Sequence, residues 1–272
     1  MKESEGALNE AVRAHTELRA FIETALQGLG WATEATRVHE VLKRYADRLA
    51  DSEERERDRQ RAERAEAFAL EQAPKGFPYL WYLAAVRLWT ILEVLVDDWA
   101  LERLTNLDSI PSGSILHTLE GPLLPFAEAS PELRSAMLLD LLKEKTRARF
   151  KPGIGRFEAL LEPIGLSGPV ADDVRKVLLE LSEVRHLVVH RNGIVDKRFA
   201  SACPWIGATV GNPLPLTQRH DVMYGLATDW YILELDRREL ALSGDSAAKD
   251  VEIQNRLEHD LREILKSRPI GV

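Results

Sequence analysis

A chain of 272 residues can form one large or two small domains and can bury a substantial core. Its 45% hydrophobic and 29% charged residues are ordinary for a globular protein, and its lone cysteine, Cys203, excludes an intrachain disulfide and a cysteine-based zinc cluster. The net charge of −8 argues against wholesale binding of nucleic acid by a basic surface, although it leaves room for a local basic cleft.

Residues 1–73 are charged and helix-rich, with Leu8, Val12, Leu18, Phe21, Ile22, Ala25 and Leu26 at helical spacing. Within them, Asp51 to Arg61 mixes both charge signs without an apolar stripe. Such a helix is either an exposed connector or a partner-binding arm. The acidic opening, Met1-Lys2-Glu3-Ser4-Glu5, does not read as a secretory signal, and no apolar run reaches about 18 residues. A cytoplasmic protein without a membrane partner is therefore expected.

Pro74, Gly76 and Pro78 mark a boundary, and 74–245 reads as the main helical domain. Its first helix, about 79–104, carries Leu80, Leu83, Leu88, Ile91, Leu92, Leu95, Val96 and Trp99, so burial on more than one side is expected. Glu93 interrupts this apolar run and needs a partner or a proton there. The stretch 105–130, rich in proline and glycine, predicts irregular backbone with short helical pieces. Helices are expected at Pro131–Lys145 and Pro169–His190. After the stop signal Asn192-Gly193, the glycine and prolines of 194–217 predict a small hairpin or extended insertion. A helix at about 218–241, with Val222, Leu226, Trp230 and Leu233 on one face, and an amphipathic one in 246–272 close a mainly α chain. Ile253, Leu257, Leu261, Ile264 and Leu265 form the apolar face of the last helix.

The richest chemistry lies in the last turns of the helix ending at Asn192. Glu183, His186 and His190 are spaced by three and four and share one side, whereas Arg185 and His190 lie roughly 140° apart. Bringing Arg185 and His190 into one cleft therefore needs a second helix, such as the same helix of a second copy in a two-fold dimer. An imidazole titrates at about 6.5 and suits proton transfer, while a guanidinium suits the charge on phosphate oxygens. Capping of the helix end by His186 and His190 is the plainer alternative. No in-helix carboxylate accounts for Arg185, whose neighbours are Leu181, Ser182, Val188 and Val189. A second basic stretch, Lys143, Lys145, Arg147, Arg149, Lys151 and Arg156, reads as a phosphate-contact surface or a solvated helix end.

Neither metal nor cofactor is expected. His186 and His190 lack the glutamate of a zinc-protease helix, since residue 187 is leucine, and Glu183-Val184-Arg185-His186 has no second copy for a di-iron site. Gly153-Ile154-Gly155-Arg156 is too short for a dinucleotide loop. Trp81, Trp89, Trp99 and Trp230 fall on helical faces and read as core, as does Cys203.

Arg185-His186-Leu187-Val188-Val189-His190 matches the RxxxxH motif of HEPN domains. Together with Glu93 in its long apolar helix, Asn192-Gly193 and the returning helix near Trp230, it gives roughly 78–240 a resemblance to that family. The resemblance implies a HEPN-like helical bundle, preceded by extra N-terminal helices, that dimerises and cleaves RNA without metal by 2′-hydroxyl attack. Arg185, His190 and His186 would be catalytic, with Glu183, Asn192 and Glu93 supporting them. Arg191, Lys143, Lys145, Arg147, Arg149 and Lys151 would contact RNA. By family analogy the setting is a toxin, partnered by an antitoxin, or phage defence. The alternative is a non-catalytic HEPN-like dimer that scaffolds another protein.

Overall fold

The computed structural model describes residues 4–46, 52–105, 114–244 and 248–267. Among them the fold is mainly α. Three helices form the N-terminal region: α1 (Ser4–Ala32), α2 (Ala35–Ala46) and α3 (Ser52–Gln72). The long apolar α4 (Pro78–Thr105) follows, then α5 (Leu123–Glu128), α6 (Pro131–Lys145), α7 (Gly155–Leu161) and α8 (Asp172–Arg191). The short α9 (Lys197–Ala202), the long α10 (Gln218–Ser243) and α11 (Ala248–Lys266) complete the order.

Local chemistry sets several of these boundaries. Gly76 adopts φ 68°, Pro78 opens α4, and the Trp81 indole N–H donates to the Gly76 carbonyl at 2.7 Å, fixing the entry to the helix. The Ser130 hydroxyl accepts from the Leu133 amide at the start of α6, and the Asp196 carboxylate accepts from the Phe199 amide at the start of α9. Thr217 and His220 form a reciprocal cap on α10, and Gly244 ends that helix at φ 78°.

Helix α4 is long and apolar enough to cross a membrane by length and composition, and it packs here against α1, α6, α8 and α10. Leu92, Val96 and Ala100 are fully buried, and the expected core tryptophans Trp81, Trp89, Trp99 and Trp230 are all within the core, as is Cys203. Leu83 departs from expectation: it is 47% exposed, on a stripe with the exposed Tyr79 and Val94. Val12 and Phe21 on α1 and Ile253 on α11 are likewise exposed, because each helix meets the bundle along only part of the apolar arc that its sequence offers. On α10 the deepest apolar side chains are Met223, Tyr224, Ala227, Tyr231 and Leu235; of the expected face Trp230 is buried, while Val222, Leu226 and Leu233 are half-buried.

From Ser52 on, the charged run belongs to α3, a largely exposed helix laced by Arg59 to Glu56 and Glu63 and by Arg61 to Asp58; Asp51 lies outside the described residues. Glu66 of α3 accepts from the Thr36 amide at the start of α2, tying the two together. The expected hairpin reduces to one antiparallel bridge, Ile194 to Pro213, with α9 inside the loop it closes. Asp196 caps a helix immediately after the turn, so too few residues remain for strands to pair.

A buried polar network binds the other end of the bundle. Arg238 on α10 donates to Glu158 on α7 at 2.9 Å, to Glu234 at 2.8 Å and to the Leu166 carbonyl at 3.0 Å. The Tyr231 hydroxyl donates to Glu158 at 2.7 Å, and Gln254 brings α11 into the network through Glu234 at 3.1 Å.

Candidate functional site

Helix α8 places the polar groups. Its core edge is Val174, Val177, Leu178, Leu181, Val184 and Leu187, which leaves an outer arc running from Arg185 through Val189 to His186 and His190. The helix stops where Asn192 turns to φ 51° and donates its amide to the Leu187 carbonyl. Asn192 thus serves through its backbone. At Gly193, φ is 77° and an added Cβ would lie 2.7 Å from the Tyr82 ring, so both conformation and space select glycine. The Tyr82 hydroxyl in turn donates to the Leu214 carbonyl at 2.6 Å, holding the returning chain against α4.

On one flank of the arc, the His186 and His190 rings meet with centroids 4.6 Å apart. Arg198, from α9, donates Nη1–H to His186 Nε2 at 3.0 Å and Nη2–H to Glu183 Oε1 at 2.8 Å. Arg198 thus bridges Glu183 and His186. Partial burial holds His186 below its ordinary value, and the positive charge of Arg198 and the neighbouring His190 add to that, against Glu183 and Asp196. Burial and the Arg198 charge thus favour the neutral imidazole at His186. His190 is exposed at the helix end, and Arg191 beside it lies 3.8 Å from Asp196.

On the other flank, Arg185 lies 3.8 Å from Glu93 Oε2, while Arg156 of α7 holds Glu93 Oε1 at 3.0 Å. Glu93 is the cross-helix carboxylate that explains Arg185 structurally. The hold is loose, since Arg185 Nε is buried without a hydrogen-bond partner. Within one chain no hydrogen bond or ion pair among the described residues joins Arg185 to His190. They flank Val189, itself 50% exposed, from opposite sides.

Beyond Glu93 opens a cavity of about 520 Å³ between α4, α6 and α7, lined by Asp97, Asp140, Lys143, Arg149 and Arg156 among others. It carries both charge signs, with Lys143 bonded to Asp97 at 2.7 Å, so it is not a plain phosphate cradle. Among the described residues no three His, Cys, Asp or Glu side chains are arranged to hold a metal ion. Lys145, Arg147, Arg149 and Lys151 are exposed, Arg149 alone of them lining the cavity, and Arg149 lies 4.7 Å over the exposed Phe150 ring. A basic run with an open aromatic face is what single-stranded nucleic acid stacks on.

Arg198 is the site residue that the sequence reading missed. It stands twelve positions after His186 and is delivered by the turn at Asn192-Gly193 and the Asp196 cap, a return that no helical periodicity reports. The turn signals themselves were visible. Comparison with known proteins finds no matching family model, no matching curated protein and no matching solved structure for this chain.

Proposed function

We propose that this chain is a metal-independent endoribonuclease of HEPN type, working as a homodimer. The observation that carries the reading is the paired His186 and His190 on an exposed helix end, with His186 partly buried and bonded to an arginine. In this mechanism the 2′-hydroxyl of RNA gives its proton to His186 and attacks the adjacent phosphorus. His190 protonates the departing 5′-oxygen as the phosphorus–oxygen bond breaks, leaving a 2′,3′-cyclic phosphate and a 5′-hydroxyl. Guanidinium groups offset the charge that gathers on the phosphorane oxygens. Arg198 lies beside the histidines. Arg185 would come from a second copy, because crossing two α8 helices at Val189 brings the Arg185 flank of one toward the histidine flank of the other. The exposed stripe of Tyr79, Leu83 and Val94 on neighbouring α4 supplies apolar area for that contact. The basic run 145–151 would track the RNA backbone, and a toxin or phage-defence setting is part of the proposal by analogy alone.

A labelled structured RNA incubated in EDTA tests this. Wild type should cut and leave cyclic-phosphate ends, and His190→Ala, matched by circular dichroism, should lose at least about 100-fold. Equal cutting by both proteins would refute the assignment. One observation favours the scaffold alternative: Val38, Val41 and Leu42 of α2 form an exposed apolar stripe at helical spacing. A scaffold would retain its partner complex in His190→Ala, whereas the enzyme would lose its activity.

A further inference from the structure

The bond between Arg198 and His186 poses a chemical problem for the proposed reaction. A guanidinium has only donors, so His186 Nε2 must be accepting and its lone pair is occupied. With that lone pair engaged and the ring's proton on Nδ1, His186 cannot take a proton from a hydroxyl. The surroundings offer the arginine a second position. Arg198 is more than half exposed, while its anchor, Glu183, is buried. Only one oxygen of that anchor is used: Glu183 Oε2 is buried without a hydrogen-bond partner and can accept when the guanidinium turns away from His186.

We propose that Arg198 masks His186 in the substrate-free protein, and that a phosphate group unmasks it by drawing the guanidinium off Nε2 while Glu183 keeps its hold. The ligand class is a phosphate, either free or within a nucleic-acid backbone. The inference rests on the nuclease reading for its purpose but not for its test. The groups that face His186 are Glu183 and His190 on α8, Asp196 at the cap of α9, and Arg198 itself. Removing the arginine's charge and adding an anion both favour imidazolium, so masking and unmasking have opposite signatures in the titration of His186. The device makes general-base function conditional on an anion being in place, and it restrains the histidine in the empty site.

The experiment is an NMR titration of the His186 ring protons in the full chain, assigned by comparison with His186→Gln. It is run in chloride, in inorganic phosphate at equal ionic strength, and with a 2′-deoxydinucleotide that carries a phosphodiester but no attacking hydroxyl. In wild type the midpoint should rise with phosphate. A response to the dinucleotide at lower concentration assigns the site to nucleic acid, and a response to inorganic phosphate alone assigns it to the free anion. Arg198→Gln and Arg198→Ala, each checked by circular dichroism, should start with a raised midpoint in chloride and respond little to either probe. A wild-type midpoint that neither probe moves, or variants that keep the full response, would overturn the proposal. RNA cleavage is read separately: a coupled titration without cleavage rejects the nuclease and keeps the switch, and cleavage with an uncoupled titration does the reverse.

Discussion

At the scale of single residues, environment sorts chemically similar side chains into different roles. His186 and His190 are one turn apart, yet only His186 is partly buried beneath Arg198. Because its folded value is lowered, it stays neutral to lower pH than a free imidazole. The acid limb of a kcat/KM profile, which reports the free enzyme, should therefore fall below 6.5, and a limb above that value would remove His186 as the base. Asp98 on α4 shows the opposite sign. Burial first, then the like charges of Asp97 and Glu10, raise it above the ordinary carboxylate value. The stability linked to it is fully present below that ordinary value and is lost as pH rises through the folded one. Asp98→Asn should accordingly raise the thermal midpoint at pH 7 and change it little at pH 4, as differential scanning calorimetry would record.

Among elements, the end of α8 decides where the candidate site sits. Gly193 carries both constraints that exclude a side chain, a positive φ and the nearby Tyr82 ring. Gly193→Ala should destabilise by about 1–3 kcal/mol in urea unfolding, since strain at a left-handed position and a displaced aromatic act together. It should also shift α9, and with it Arg198, so that the His186 resonance moves although no site residue is changed. Unaltered stability would mean that the turn relaxes freely. The stop at Asn192-Gly193 and the histidine spacing were both legible in the sequence, because they are local: a helix ends where φ turns positive, and 3.6 residues per turn place i and i+4 together. The helix boundaries at Pro131, Lys145 and Gln218 were legible for the same reason. The hairpin was not, since the competition between a strand and the Asp196 cap is settled by what packs around it.

For the molecule as a whole, the buried network around Arg238 ties three helices. Glu158, Glu234 and Arg238 are charged side chains mostly or wholly withdrawn from solvent, and Arg238 answers both carboxylates. Arg238→Ala should cost about 3–5 kcal/mol, read by urea unfolding, because it takes from two buried carboxylates the guanidinium they share. Gly168 belongs to the same arrangement: its amide donates to Glu158 at 3.0 Å, and a Cβ there would meet the Arg238 guanidinium at 2.9 Å. Only the i,i+4 pair of Glu234 and Arg238 is local; the link to Glu158, eighty residues away, could not be read from the chain.

By itself the sequence determined the helical class, the approximate limits of α4, α6, α8 and α10, the core tryptophans, and the run Glu183, His186 and His190 on one side of a helix. These follow from short-range periodicity and capping, which every local segment carries with it. Tertiary structure alone decided that Arg198 stands over His186, that Glu93 answers Arg185, and which part of each apolar arc faces the core. Those outcomes depend on the packing of segments distant in sequence, where charge, burial and available space are set by neighbours that no local pattern names.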